Sequence, residues 1–424
     1  MSDLTRYKFA SLYEMASGIS SKPEQAGHGA PFLSFSAVFN NYFLPPDFAD
    51  RMDTSELEQK KYSINEGDVF LTRTSEVIDE LGMSSVALRS YPNATYSGFL
   101  KRLRPTKEKV TYPKFMAFYL RSPLFRKTMT NNAVLTLRAS LNEEIFSYLD
   151  LLLPDYDKQV KAGDLLFLLS QKIDCNNRIN AELEAMARAL YDYWFVQFDF
   201  PDVNGKPYKS SGGKMVYNAS LKREIPMGWQ AKCFAELGSF KNGINYDPSV
   251  GGSSTAQIVN VRNVSATSIF IKENDLDVLN LDQTDIDKYL VTSDSILIAR
   301  SGIPGATRMM AHCPPNTIYC GFIISFKVSN PNDKFFIFYR LKQIEHSLLS
   351  QSSGSILKNV SQGTLKDICI AMPPESERSV IEMFNAKLSP ILGKLNFNHQ
   401  ENQRLTELRD WLLPLLMNGQ VTVA

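Results

Sequence analysis

PNATYSGFL at residues 92–100 and PNTIYCGFI at residues 315–323 are two versions of one sequence, 315 − 92 = 223 residues apart. Both have proline, asparagine, tyrosine, glycine and phenylalanine in the same places. A repeat at a fixed spacing indicates the architecture of a chain before any single motif does. The nonapeptide therefore predicts that one domain is present twice.

Further matches extend the repeat in both directions. They pair residues 7–17 with 229–239, 69–74 with 296–301, 114–119 with 334–339, and 149–154 with 368–373. Short apolar runs between glycine, proline and asparagine in each copy are typical of strands and turns. We therefore predict two similar mixed α/β domains, at residues 1–153 and 229–373.

A helical pattern follows each domain. Glycine and proline become rare from about 155 to 196 and from about 374 to 417. Apolar residues recur there in steps of three, four or seven, as in the seam of a coiled coil. The predicted seam residues are Leu169, Asn176, Ile179, Leu183, Met186 and Leu190, and Ile391, Leu395, Asn398, Leu405, Leu408 and Leu412.

The predicted fold class is thus α+β, with two long antiparallel coiled-coil helices and a pseudo-two-fold internal repeat. The helical segments are 154–197 and 374–424, and the polar, aperiodic residues 198–228 are predicted to be a linker. Asn176 and Asn398 correspond at an offset of 222. Buried in a seam, they would fix the register of the helices at a cost in stability. The alternative is that they face solvent at a frayed edge.

Composition indicates a globular protein, with 44% hydrophobic and 21% charged residues. The five cysteines form no C-x-x-C pair, so we expect neither a disulfide framework nor a zinc site, and a cytoplasmic location. No apolar stretch is long enough to span a bilayer, and we expect no membrane partner. The net charge of +1 does not indicate nucleic-acid binding. The basic run at residues 101–104, with Lys107 and Lys109, is either a phosphate-facing patch or a solvated turn.

Several segments resemble the conserved regions of Type I restriction-modification specificity subunits. They are Asn177–Glu184, Tyr193–Pro201, Asn204–Tyr208, Leu221–Trp229 and Asn402–Gly419. The resemblance implies two target recognition domains that bind double-stranded DNA, each reading half of a split site. It also implies that two adenine-methyltransferase subunits dock alongside and that restriction-translocase subunits join them. The second domain departs from the pattern with Asp294-Ser295, where the first has Gly67-Asp68.

Motifs for catalysis are missing. The chain has no D/N-P-P-Y/F tetrapeptide for methyl transfer, and the surroundings of Gly213-Lys214 do not fit a Walker motif. Asp47 with Glu58 and Lys60 could suggest a nuclease, but the segment lacks the apolar strands that would position them. The four histidines have no spacing typical of metal ligands. We expect a non-catalytic subunit with no metal or cofactor, whose methyltransferase partners use S-adenosylmethionine.

Candidate DNA-binding residues follow from the repeat, because equivalent sites should do equivalent work. Arg73 and Arg300 each follow an apolar strand, and arginine is suited to reading base edges. A second set, before the last apolar segment of each domain, is Arg138 with Lys358 and Asn359. Weaker candidates from early loops are Lys22, Lys241 and Arg262. For each of them the alternative is a surface ion pair.

Two other functions remain open. One is a stand-alone bipartite DNA-binding regulator without methyltransferase partners, whose helices would serve self-dimerisation. The internal repeat argues against it, because one chain already holds two half-site readers. The other is an enzyme that acts alone, which the missing motifs disfavour.

Overall fold

In a computed structural model, the described residues are 4–20, 22–75, 81–132, 134–135, 139–140, 146, 148–246, 251–266, 268–353 and 359–423. The chain forms two compact units. The first is Met1–Asn176 together with Glu401–Ala424, and the second is Asn177–Gln400. Each unit therefore combines one of the repeated domains with a part of both long helices.

The first unit contains twelve strands among its described residues. They are β1 Thr5–Lys8, β2 Tyr13–Ser17, β3 Ala26–Leu33, β4 Asp50–Met52, β5 Val69–Thr72, β6 Thr74–Ser75, β7 Ser84–Val86, β8 Thr95–Tyr96, β9 Leu100–Pro105, β10 Val134–Leu135, β11 Ala139–Ser140 and β12 Asp150–Leu153. Its shorter helices are α1 Phe9–Leu12, α2 Phe35–Asn40, α3 Glu56–Lys61, α4 Pro113–Tyr119 and α5 Pro123–Asn132.

One four-stranded antiparallel sheet, in the order β2-β9-β5-β7, organises the first domain. All four residues of β5 are buried, which explains why its sequence is a continuous run rather than an alternation. A second sheet has the order β4-β3-β8, with β3 and β8 parallel. Strand β1 pairs with β12 and so closes the beginning of the domain onto its end.

The second unit repeats this plan. Its strands are β13 Met215–Asn218, β14 Arg223–Pro226, β15 Gln230–Cys233, β16 Gly238–Asn242, β17 Ser254–Val259, β18 Phe270–Ile271, β19 Asp277–Leu281, β20 Ser295–Ala299, β21 Thr307–Met310, β22 Thr317–Tyr319, β23 Ile323–Val328 and β24 Cys369–Met372. The sheet β16-β23-β20-β21-β18 corresponds to that around β5, β19-β17-β22 to the second sheet, and β15-β24 to β1-β12.

Seven further helices follow among the described residues. They are α6 Tyr156–Tyr191, α7 Phe234–Leu237, α8 Val261–Val264, α9 Gln283–Lys288, α10 Lys334–Ser353, α11 Gln362–Lys366 and, last, the long α12 Ser379–Met417, where α6 is the other long helix. A π-helical turn, Asp192–Val196, continues α6.

The long helices are antiparallel within each unit. In the first, Ala162 and Leu166 of α6 share a core with Leu413 and Met417 of α12. In the second, Tyr191 packs against Phe384, their ring centroids 6.1 Å apart. The predicted fold class, two mixed α/β domains with antiparallel coiled-coil helices, is confirmed.

Both predicted register asparagines are buried and pair with another asparagine. In the first unit the Nδ2 of Asn176 donates to Oδ1 of Asn402 at 2.9 Å and to Oε2 of Glu401 at 2.7 Å. In the second unit the Nδ2 of Asn398 donates to Oδ1 of Asn180 at 2.8 Å. The two pairs are related by the repeat, since 398 − 176 and 402 − 180 both equal 222. That they fix the register of the helices stays a prediction.

Part of the predicted seam is wrong. Ile179, Met186 and Leu408 are exposed, whereas Asn180 and Ala187 are buried. Asn176 is buried and Leu183 and Leu190 are partly buried, so every second predicted position of α6 does lie in the seam. The positions between them lie one residue later than predicted, at Asn180 and Ala187 instead of Ile179 and Met186. Because Asn180 is polar and Ala187 is small, the hydrophobic pattern did not mark them as seam residues.

The register of the first repeat match is also wrong by three residues. Strand pairing and the amide contacts of Phe9 with Leu149 and of Phe234 with Ile368 make Phe9 equivalent to Phe234, an offset of 225. The short helices α1 and α7 each place apolar residues three positions apart. A shift of three therefore superimposes apolar residues on apolar residues, and the sequence match alone does not detect it.

Two further expectations differ from the structure. Cys233 and Cys369, opposite each other in β15 and β24, form a disulfide. They are 136 residues apart in sequence, so no local spacing revealed the pair. Residues 198–228, predicted as a linker, contain the hairpin β13-β14. They also place the ring of Phe200 against that of Trp229, with centroids 5.1 Å apart.

Candidate nucleic-acid interface

Arg73 and Phe99 are neighbours at one end of the central sheet in the first domain. Arg73 immediately follows β5, and its amide donates to the carbonyl oxygen of Phe99 at 2.8 Å. Phe99 lies in the turn that leads into β9, and 61% of its surface is exposed. Arg73 is exposed too, and its side chain has no hydrogen bond or ion pair with another described residue. A cationic group and an aromatic ring thus emerge side by side.

The second domain contains the same arrangement. Arg300 follows β20, and its amide donates to the carbonyl oxygen of Phe322, again at 2.8 Å. Phe322 is 60% exposed. The guanidinium group of Arg300 likewise makes no hydrogen bond or ion pair within the part of the chain that the structure describes. Equivalent residues in the two domains therefore present the same pair of chemical groups.

Glycines hold the turn in place in each domain. The amide of Gly98 donates to the carbonyl oxygen of Ile19 at 2.7 Å, and that of Gly321 does the same with Ile244. A Cβ at Gly18 would lie 2.2 Å from the Ser97 carbonyl oxygen, so a larger residue would push the segments apart. Gly243 is equally close to the carbonyl oxygen of Cys320. The backbone that carries each exposed phenylalanine is therefore fixed by close packing.

The tyrosine of each nonapeptide is buried beside the turn. Tyr96 is buried, and its hydroxyl donates to the Ser17 carbonyl oxygen at 3.3 Å. Burial raises the pKa of Tyr96 to about 12. The same cause raises the pKa of Tyr319 in the second domain to about 12. The raised pKa values have the same cause, the burial of both tyrosines beside their turns.

The second predicted set is described only in part. Arg138 and Lys358 lie outside the described residues. Asn359 is exposed, and the amide of the following Val360 donates to the carbonyl oxygen of Arg300 at 2.9 Å. The structure thus brings Asn359 beside Arg300, although 59 residues separate them in sequence. In the first domain β11 pairs with β6, the strand that follows Arg73.

The three weaker candidates have different surroundings. Lys22 is exposed, three residues beyond the Ile19 that holds the first turn. Lys241 is exposed but already has partners, since its Nζ donates to the Lys288 carbonyl oxygen at 2.6 Å and lies over the ring of Tyr289. Arg262 forms an ion pair with Asp277.

For Arg262 the structure thus shows a surface ion pair, the alternative that was considered for every candidate. The hydrogen bond from Arg262 lowers the pKa of the Asp277 carboxyl group, with a further contribution from Asn260. A DNA contact by Arg262 would have to replace this pair. Assignments of base or phosphate contacts stay predictions for all eight residues.

Lys107 and Lys109 of the basic run are exposed in the turn that follows β9. The stretch at residues 101–104, however, is neither a phosphate-facing patch nor a solvated turn. It lies in β9, between β2 and β5. Lys101 and Arg102 are buried, with Lys101 Nζ donating to Ser17 Oγ at 2.8 Å and Arg102 to the Ser63 carbonyl oxygen at 2.8 Å. Arg104 forms an ion pair with the buried Asp68 at 2.7 Å. Strand β2 and the segment before β5 supply partners that are distant in sequence.

Sequence reasoning missed Phe99 and Phe322 as candidate functional residues. Short apolar runs in each copy indicated strands, where an apolar residue is expected to be buried. A signal was present in the nonapeptide, because phenylalanine directly follows glycine in both copies. Exposure at that point depends on the turn and on the segment packed against it.

Among the described residues, no group of three or more histidine, cysteine or acidic side chains could hold a metal ion. No helix in that part of the chain is long and apolar enough to cross a bilayer.

Comparison with known proteins identifies the repeated unit. The family model described as the Type I restriction modification DNA specificity domain matches residues 14–185 and again residues 236–407. The two matches begin 236 − 14 = 222 residues apart, in agreement with the internal repeat. Together they cover most of the chain.

Individual relatives agree with the family model. The HindI specificity subunit of Haemophilus influenzae is 24% identical over 493 residues, covering 99% of this chain and 100% of the relative. The MjaIX specificity subunit of Methanocaldococcus jannaschii is 24% identical over 273 residues, covering 64% and 60%. The S subunit of a Type I system from M. genitalium has the same fold, with a TM-score of 0.59, 12% identity, and coverage of 98% and 96%. The chain therefore belongs to the family of Type I restriction-modification specificity subunits.

Proposed function

We propose that this chain is the non-catalytic DNA-reading subunit of a Type I restriction-modification enzyme and that it recognises a bipartite site, one half with each domain. The observation that carries the proposal is the duplicated pair of Arg73 with Phe99 and Arg300 with Phe322. Each pair has the same 2.8 Å backbone contact and an equally exposed ring, while Arg73 is exposed and Arg300 half-buried. Two equivalent surfaces that differ in detail are suited to reading two related but different half-sites.

The proposal includes two adenine-methyltransferase subunits that dock on this chain. Each long helix exposes an apolar side chain at an equivalent position, Met186 in the second unit and Leu408 in the first. They are 57% and 43% exposed. One such side chain alone would mean little, but exposed apolar side chains at positions 222 residues apart on both long helices are suited to packing against equivalent partners. Two equivalent positions favour two equivalent methyltransferase partners. Restriction-translocase subunits would then join the resulting complex.

In this proposal the chain has no cofactor of its own. S-adenosylmethionine would be bound by the methyltransferase subunits, which flip the target adenine out of the duplex for transfer to N6. The subunit would work in the cytoplasm, beside the DNA and its partners. Its contribution is to choose the adenine, by holding the methyltransferases at one sequence.

Reconstitution tests this function. The chain is mixed with increasing amounts of its methyltransferase, and the mass of the complex and transfer of methyl groups to DNA are measured. We expect full activity at two methyltransferases per chain and no methyl transfer, cleavage or ATP hydrolysis by the chain alone. A regulator would bind DNA but form no complex with the methyltransferase. Turnover by the pure chain, or full activity at one methyltransferase per chain, contradicts the proposal.

The docking surface is tested with a double variant, Met186→Ala with Leu408→Ala. Both side chains are exposed, so the substitutions should leave folding intact while weakening assembly. If the double variant assembles like the unchanged chain, the two side chains are not part of the docking surface. The stoichiometry would still test the rest of the proposal.

A further inference from the structure

We propose that Phe99 and Phe322 are specificity-determining residues, each of which packs its ring against the 5-methyl group of a thymine in the half-site read by its own domain. The inference rests on the proposed function and deepens it. Arginine beside each ring would read a neighbouring base, so that a cationic and an apolar group together define a short sequence.

Neither of these two rings is covered by another part of the described chain. Single exposed apolar side chains are common on protein surfaces and mean little. Here the same residue type is exposed to nearly the same extent at equivalent positions of two domains. The nonapeptide tyrosine, three residues earlier, is buried in both copies. What the two phenylalanines share is therefore their surroundings and an outward direction.

Each ring is attached to a backbone that is already ordered. In the first domain the amide of Phe99 donates to Oγ of Ser97 at 3.2 Å, and its carbonyl oxygen accepts from the Arg73 amide. The next amide, of Leu100, donates to the Ser97 carbonyl oxygen at 2.9 Å. Binding through an aromatic side chain on a fixed backbone costs little conformational entropy. A contact made by Phe99 can therefore contribute nearly its full strength to recognition.

The chemistry of the DNA grooves points to thymine. In the major groove, the 5-methyl group of thymine is the apolar feature of the base edges, and phenylalanine is among the side chains that contact it. A site for N6 methylation contains adenine in each half, so a thymine faces it on the other strand. The adjacent Arg73 or Arg300 offers a bidentate donor pair for a guanine. Both groups would lie in one groove because they leave neighbouring positions of the backbone.

The experiment uses the full complex with methyltransferase and the variants Phe99→Ala and Phe322→Ala. Affinity is measured at fixed salt for the recognised duplex, for unrelated DNA, and for duplexes in which each thymine of a half-site is replaced by uracil, which removes only the methyl group. Matched controls are Leu124→Ala and Val278→Ala, which truncate exposed apolar side chains of the same two domains. The complex with unchanged chain is measured in parallel.

We expect each phenylalanine variant to bind the recognised duplex about 10- to 100-fold more weakly, with unrelated DNA unaffected. With the unchanged chain, one thymine-to-uracil replacement per half-site should weaken binding about fourfold, the value of one buried methyl group. Phe99→Ala should abolish that penalty in one half-site, and Phe322→Ala in the other. The controls should behave like the unchanged chain.

Three binding results would overturn the inference. They are unchanged affinity of both variants, equal weakening for all DNA sequences, and a uracil penalty that persists in the variants. Failure of a variant to assemble with methyltransferase would also overturn it, because the ring would then contact protein. If the unchanged complex lacks bipartite specificity, the proposed function itself fails, which is a different outcome from a specific complex that tolerates the variants.

Discussion

Lengthening both long helices by one turn should widen the gap between the two half-sites. The insertion points are after Arg178 in α6 and after Gln400 in α12. The asparagine pairs of the two units flank these points, Asn176 with Asn402 on one side and Asn180 with Asn398 on the other. Because the helices run antiparallel in each unit, four extra residues in both helices leave each pair intact.

The expected change follows from helix geometry. One turn lengthens an α-helix by about 5.4 Å. Duplex DNA advances about 3.4 Å per base pair, so the recognised gap should grow by one or two base pairs. Both half-site sequences should stay the same, since no residue of either domain changes. The added rotation of one half-site about the duplex lowers affinity, which is why the motif is the better readout.

The assay is sequencing of methylated adenines in a host that carries the variant and its methyltransferase. A matched control has the same insertion in α6 alone, which keeps Asn176 and Asn180 from meeting Asn402 and Asn398 at the same time. That variant should lose stability and activity. An active double-insertion variant that methylates the original motif, with the original gap, would refute the reasoning and show that the helices do not set the spacing.

Three further predictions address single elements. Arg73→Ala and Arg300→Ala should each weaken recognition of a different half-site, by about 1–3 kcal/mol if the contact is bidentate to guanine. The measurement is DNA affinity across single-base variants of the site. An equal loss of affinity for all sequences would make the two arginines phosphate contacts. Exchange of residues 1–153 for the first domain of a relative should change one half of the methylated motif, and a change in both halves would contradict independent reading. Asn398→Ala should lower the free energy of unfolding of the second unit by about 1–3 kcal/mol, because it leaves the buried Asn180 without its partner. Leucine at both positions should cost less than Asn398→Ala in denaturant unfolding, and a larger cost would show that the pair itself is strongly stabilising.

Features that depend on local periodicity could be predicted from sequence. The repeat, the two long helices and the position of Arg73 and Arg300 at strand ends all rest on patterns within a few residues. Asn176 and Asn398 were singled out because the repeat aligned them. Their partners, Asn402 and Asn180, follow from the antiparallel packing of the helices.

Features that depend on distant parts of the chain were missed. Lys101 and Arg102 are buried because β2 and a loop at Ser63 supply partners. The Cys233–Cys369 disulfide joins the first and last strands of the second domain. Phe99 is exposed because the turn that carries it is held by a separate segment. Each of these is a tertiary property that composition and spacing do not encode locally.

The measurement that tests the central claim most directly is methylome sequencing of a host that expresses this chain with its methyltransferase. The account predicts N6-methyladenine in one bipartite motif, two short specific sequences separated by a fixed gap of unspecified bases, with a modified adenine in each half. Methylation of a single uninterrupted sequence, or the same methylation when this chain is omitted, would contradict it.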